Sequence, residues 1–104
     1  MLDQTILDNI ISRIVEVADP ERIILFGSAA RGEMNRHSDV DLLIVKEGAD
    51  PLDLMGQIYQ NLHGVGAAVD AFVVTPQAVE RYKNSHALII KPALQEGKVV
   101  YESP

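Results

Sequence analysis

Three aspartates interrupt apolar stretches where carboxylates are disfavoured. Asp39-Val40-Asp41 opens directly into Leu42-Leu43-Ile44-Val45, and Asp70 breaks the run Val69-Asp70-Ala71-Phe72-Val73-Val74. Aspartate is depleted in strands, so its placement at these sites asks for a reason. Strand side chains alternate between faces, which puts Asp39 and Asp41 on one face with Cα atoms roughly 6.6 Å apart, two strand rises. Brought to ~4 Å, two carboxylates repel by about 4 kcal/mol at an effective dielectric of 20. A divalent cation such as Mg²⁺, which prefers carboxylate, water and phosphate oxygens, offsets that repulsion. The alternative is a solvated strand mouth with both carboxylates in water. If the strand bearing Asp70 lies beside the first, a third carboxylate faces the same place.

A second constellation precedes the first. The apolar block Arg22-Ile23-Ile24-Leu25-Phe26 runs straight into Gly27-Ser28-Ala29-Ala30-Arg31-Gly32. Glycine lets backbone approach a ligand closely, and a helix starting just after it points free N–H groups at an anion, phosphate above all. The alternative makes Ser28 a helix N-cap and Gly27 a turn residue. Arg31 in this loop either contacts phosphate or forms a salt bridge to a neighbouring carboxylate. Taken together, three carboxylates beside a phosphate-cradling turn suit two-metal phosphoryl or nucleotidyl transfer, with cations ~4 Å apart. One metal would hold a triphosphate and the other would activate an acceptor hydroxyl. Asp70 would bind the second metal and accept the hydroxyl proton.

These residues need a scaffold, and the apolar pattern supplies one. Leu7, Ile10, Ile11, Ile14, Val17 and Ala18 recur at helical spacing, predicting a helix from about Asp3 to Ala18 that ends at Asp19-Pro20. Strands are expected at Arg22–Phe26 and Val40–Val45, with a short helix from Ala29 between them. A turn at Gly48-Ala49-Asp50-Pro51 leads to a helix from about Leu52 to Leu62, carried by Leu54, Met55, Ile58 and Leu62. Ala67 to Val74 reads as a third strand, and Thr75-Pro76 opens another helix. Ser85 is a candidate cap for a last helix to about Glu96, in which Pro92 should cause a kink or a break. Gly97 ends it, and Lys98 to Tyr101 forms a final strand. The order is that of an α/β (α+β) fold, a small mixed β-sheet with helices packed on it.

Composition sets the bounds. With 104 residues, 47% of them hydrophobic, the expectation is one compact domain over residues 1–104. No apolar run approaches the ~18 residues of a membrane span. The acidic N-terminal segment, with Asp3 and Asp8, does not read as a secretory signal. There is no cysteine, which excludes disulfides and thiolate metal sites. A net charge of −6 argues against direct nucleic-acid binding through phosphate neutralisation. A soluble, cytoplasmic domain is the expectation. His37, beside Ser38, reads as a solvated loop residue and His63 as a helix-end residue, and His86 carries no assignable role. Gly64-Val65-Gly66 lacks the third glycine of a dinucleotide fingerprint and precedes a strand rather than following one. Lys83 and Lys91 read as solvated surface charge. The apolar tail with Leu88, Ile89, Ile90, Leu94, Val99 and Val100 reads either as packing on the sheet or as a surface for a partner or a second copy.

The motif text resembles the minimal nucleotidyltransferase (MNT) domains of the DNA polymerase β-like superfamily. Their signature is Gly-Ser, about ten residues, then Asp-x-Asp; here Gly27-Ser28 is followed by ten residues and Asp39-Val40-Asp41. Ala30-Arg31-Gly32-Glu33 and Ser38 match as well, and the resemblance runs over nearly the whole chain. It implies the polymerase β-like palm fold and an ATP-using, Mg²⁺-dependent nucleotidyltransferase of the antitoxin type. Its partner would be a small helical HEPN-domain toxin, silenced by transfer of AMP to a tyrosine hydroxyl or by binding alone. On the matching positions, Gly27 and Ser28 would hold the triphosphate, with Arg31 nearby. Asp39 and Asp41 would bind both Mg²⁺ ions, and Asp70 the catalytic one. Larger members of the superfamily carry an additional domain for acceptor or base, so the acceptor site is expected to be completed by another protein.

Overall fold

A computed structural model describes residues 3–32, 40–85 and 90–104 of the chain. Helix α1, Gln4–Ala18, buries Leu7, Ile10, Ile14 and Ala18 along one stripe. Asp3 caps it, accepting from Thr5 N at 2.7 Å, and Asp19 closes it with a left-handed φ of 44°. Strand β1, Arg22–Phe26, follows and leads directly into the short helix α2, Gly27–Ala30. Strand β2, Val40–Val45, helix α3, Pro51–Gln60, and strand β3, Val69–Val74, form a parallel crossover unit. Helices α4, Pro76–Tyr82, and α5, Ile90–Glu96, then return the chain to strand β4, Lys98–Glu102.

The four strands form one mixed sheet in the order β3-β2-β1-β4. β2 pairs parallel with β3, whereas β1 pairs antiparallel with both β2 and β4. β1 and β2 are therefore central and covered on both faces, which is why they read as continuous apolar runs instead of alternating ones. On one face Ile23, Leu25, Val40, Leu42, Ile44, Ala71 and Val73 pack under α1 and α3, through Ile10, Ile14, Leu54 and Ile58. On the other face Ile24, Phe26 and Leu43 meet Ala93 of α5, joined by Phe72, Val74 and Leu94. The second face has the smaller apolar cluster, and it is the one that carries the carboxylates.

Several boundaries differ from expectation for local reasons. The short helix starts at Gly27, not Ala29, because Gly27 takes φ +72° and turns the chain immediately after Phe26. Ser28 therefore lies inside α2, and the N-cap position belongs to Phe26. α3 begins at Pro51 behind its Asp50 cap and ends at Gln60, short of Leu62. β3 begins at Val69 rather than Ala67. The described part of the last helix runs unbroken from Ile90 to Glu96 through Pro92. The expected helix start after Ser85 concerns residues 86–89, which lie outside the described residues. In the C-terminal tail, Ile90 and Ala93 are buried and Leu94 packs on the sheet, while Val99 is 52% exposed.

Candidate active site

Strand direction brings the motif residues together. β1 runs antiparallel to β2, and β2 runs parallel to β3, so the C-terminal end of β1 lies beside the N-terminal ends of the other two. Phe26 is opposite Asp41, and Asp41 is in direct register with Asp70. Residues in register on neighbouring strands share a face and are about 4.8 Å apart. At that separation two ionised carboxylates repel by about 3.5 kcal/mol at an effective dielectric of 20. Both aspartates are only half-buried, which lets solvent moderate that term. Each also has a polar or electrostatic interaction.

Gly27 fits against this pair. Its φ of +72° lies in the left-handed region, and a Cβ built on it would be 3.3 Å from Asp41 Cγ, with the carboxylate oxygen Oδ2 nearer still. The space that any other side chain would occupy is thus taken by the Asp41 carboxylate. Phe26 offers no side-chain hydrogen bond at the N-cap of α2, as a phenyl group must, so no side-chain acceptor from that position covers the first N–H groups of Gly27 and Ser28. Beyond the carboxylates the same face turns apolar, with the Phe26 and Phe72 rings tilted at 47° and 6.0 Å apart.

Arg31 follows α2 and is about half exposed. Its Nη1 donates to Glu96 Oε2 at 3.1 Å, joining the motif loop to the end of α5. The salt-bridge alternative read from the sequence is therefore present, and Glu96 is the residue that sequence reasoning missed. Nothing in the local sequence around Glu96 signals a partner 65 positions away. Asp39, with His37 and Ser38, lies outside the described residues. His63 is exposed, and its carbonyl accepts from Arg13 Nη1 at 2.6 Å, a contact that ties α1 to the turn after α3. Lys83 pairs with Glu80 at 2.8 Å on the surface.

The donor set suits a hard cation, because Asp41 and Asp70 offer only oxygen ligands on adjacent strands. Among the described residues no group of three His, Cys, Asp or Glu side chains converges, which leaves this pair as the described part of the acidic site. Also among the described residues, no helix is long and apolar enough to cross a membrane.

The sequence matches the family described as Polymerase beta, Nucleotidyltransferase over residues 8–104. No curated protein gives a significant match. Among solved structures, a protein of Sulfolobus solfataricus provisionally assigned as a nucleotidyltransferase aligns with a TM-score of 0.63 at 20% identity, over 94% of this chain and 78% of that one. A toxin–antitoxin solved with AMP-PNP aligns with a TM-score of 0.67 at 19% identity, over 92% of this chain and 73% of that one. A mutant of the toxin–antitoxin MntA-HpeT aligns with a TM-score of 0.66 at 17% identity and the same coverage. At these identities the likeness is one of fold.

Proposed function

The chain belongs to the polymerase β nucleotidyltransferase family and is a nucleotidyltransferase, and from that premise we propose that it transfers AMP from ATP to a hydroxyl of a partner toxin. The acceptor is a tyrosine of a HEPN-type ribonuclease, and the reaction takes place in the cytoplasm as an antitoxin activity. The observation that carries the reading is the Asp41–Asp70 register beside Gly27. Toxin–antitoxin structures among the fold neighbours, one of them solved with AMP-PNP, support the partner class and the nucleotide.

In this reading Gly27 and Ser28 present backbone N–H groups to the triphosphate, and Arg31 contributes a guanidinium. Asp39, Asp41 and Asp70 would hold Mg²⁺, which when bound would supply neutralisation of the triphosphate and polarisation of the acceptor hydroxyl. Asp70 accepts the hydroxyl proton. The acceptor oxygen forms a bond to the α-phosphorus, the bond from that phosphorus to the bridging oxygen breaks, and pyrophosphate leaves.

The test is incubation of the protein with ATP, Mg²⁺ and the product of its neighbouring gene, followed by intact-mass analysis of both chains. An AMP adduct on the partner is expected, and Asp41→Asn should remove it. Inhibition of the partner with no adduct, unchanged in Asp41→Asn, would establish neutralisation by binding alone instead.

A further inference from the structure

Glu96 stands where local electrostatics disfavour a carboxylate. It is the last residue of α5, whose final turn carries no basic side chain. The carbonyl end of a helix bears about half a negative charge, so an acidic residue there is misplaced by helix rules alone. The backbone around it has little room to shift. Gly97 N donates to Ala93 O at 2.9 Å, and a Cβ on Gly97 would crowd Ile24 Cγ2 and lie 3.0 Å from Leu25 O. The end of α5 is thereby seated against β1, the strand that leads through Phe26 into Gly27. From this fixed point Glu96 Oε2 accepts from Arg31 Nη1 at 3.1 Å.

We infer that Glu96 is a positioning residue for nucleotide binding, holding Arg31 at the rim of the Gly27–Asp41 site where its guanidinium meets the polyphosphate. The inference rests on the proposed placing of ATP at that site. Guanidinium carries five N–H donors in a planar fork, and the Glu96 contact engages it through Nη1, so one arginine can bridge a carboxylate and a phosphate. A side chain already held loses less freedom when the phosphate arrives, worth about 2- to 10-fold in affinity. Charge alone predicts the opposite sign. In a chain of net charge −6, deleting a carboxylate near a triphosphate should tighten binding. The sign of the effect therefore separates positioning from simple repulsion.

The experiment is calorimetric titration of the full chain with ATP and Mg²⁺, for the wild type, Glu96→Ala, Glu96→Gln, Arg31→Ala and the Glu96→Ala/Arg31→Ala double variant. Glu96→Ala should raise Kd about 2- to 10-fold. Glu96→Gln, which keeps an acceptor, should fall between it and the wild type, and the double variant should match Arg31→Ala. Thermal unfolding should change little, because both partners are about half exposed. Wild-type binding with equal or tighter binding in Glu96→Ala overturns this role and leaves the nucleotide reading standing. Absence of ATP binding in the wild type overturns both.

Discussion

Replacing Gly27 by alanine should damage the site more than the fold, and the structure allows both effects to be sized. The backbone there has φ +72°, which costs an L-residue about 1–2 kcal/mol relative to glycine. The new Cβ would also meet the Asp41 side chain, with Cγ at 3.3 Å and Cβ at 3.5 Å. Asp41 is only half-buried, so its carboxylate can swing aside, which limits the steric part of the cost to stability. The expected loss is therefore about 1–2 kcal/mol, equivalent to about 5–15 °C in Tm for a domain of this size. Displacing the Asp41 carboxylate has a larger consequence for chemistry, since a misplacement of about 1 Å can cost about 100-fold in rate. Gly56→Ala is the matched control. Gly56 is an exposed residue inside α3 with nothing within 4 Å of an added Cβ. Alanine there should raise stability by about 0.5–1 kcal/mol and leave transfer unchanged. The assays are thermal unfolding by circular dichroism and transfer from α-labelled ATP, measured well below both transitions. Wild-type transfer by Gly27→Ala would refute the packing of Asp41 against Gly27 as a feature of the site, whatever the Tm.

Asp70→Asn should reduce transfer by about 10²- to 10⁴-fold, the usual contribution of a positioned proton acceptor. Asparagine keeps the shape of this half-buried side chain, so the fold should survive, and circular dichroism checks that the loss is one of chemistry. Tyr59→Phe tests the outer edge of the sheet. The Tyr59 hydroxyl accepts from Ala71 N at 2.8 Å and donates to Ala71 O at 3.4 Å, on a residue that is 1% exposed. Losing it should cost about 1–2 kcal/mol, since an unmet buried donor costs about 1–3 and water can reach part of this edge. A Tm identical to the wild type in chemical or thermal unfolding would show that the edge needs no such partner.

How much of this was legible in the sequence depends on whether the cause was local. β1 and β2 were readable because central strands covered on both faces give unbroken apolar runs, Ile23 to Phe26 and Leu42 to Val45. The starts of α1 and α3 were readable to within a residue from apolar spacing, whereas the caps Asp3 and Asp50, which act on N–H groups two and three residues away, came from the structure. The side-by-side placing of Asp41 and Asp70 was only a conditional expectation. Alternation fixes the face of each aspartate within its own strand, whereas register between parallel strands is set by how the connecting α3 packs on β2 and β3. Glu96 and Tyr59 were invisible for a different reason: each acts on a group in another element, and no short-range pattern encodes such a contact.

The location of the carboxylates follows from the same topology that made them hard to place. In a sheet where β1 is antiparallel to its neighbours, the turn that leaves β1 and the starts of β2 and β3 must share one end. At that end the two faces differ: Val40 and Leu42, under α1 and α3, are fully buried, whereas Asp41 between them points to the other side and is not. The face matters as much as the end. Asp41 and Asp70 point to the side with the smaller apolar cluster, where the short α5 provides Ala93 and Leu94, rather than to the side roofed by α1 and α3. A one-residue slip of β2 against the core would bury Asp41 under Ile10 and Ile58 and expose Leu42, an exchange of a fully buried leucine for a carboxylate stripped of water. The penalty for that slip holds the acidic pair in position, so the hydrophobic core sets the register on which the site is built.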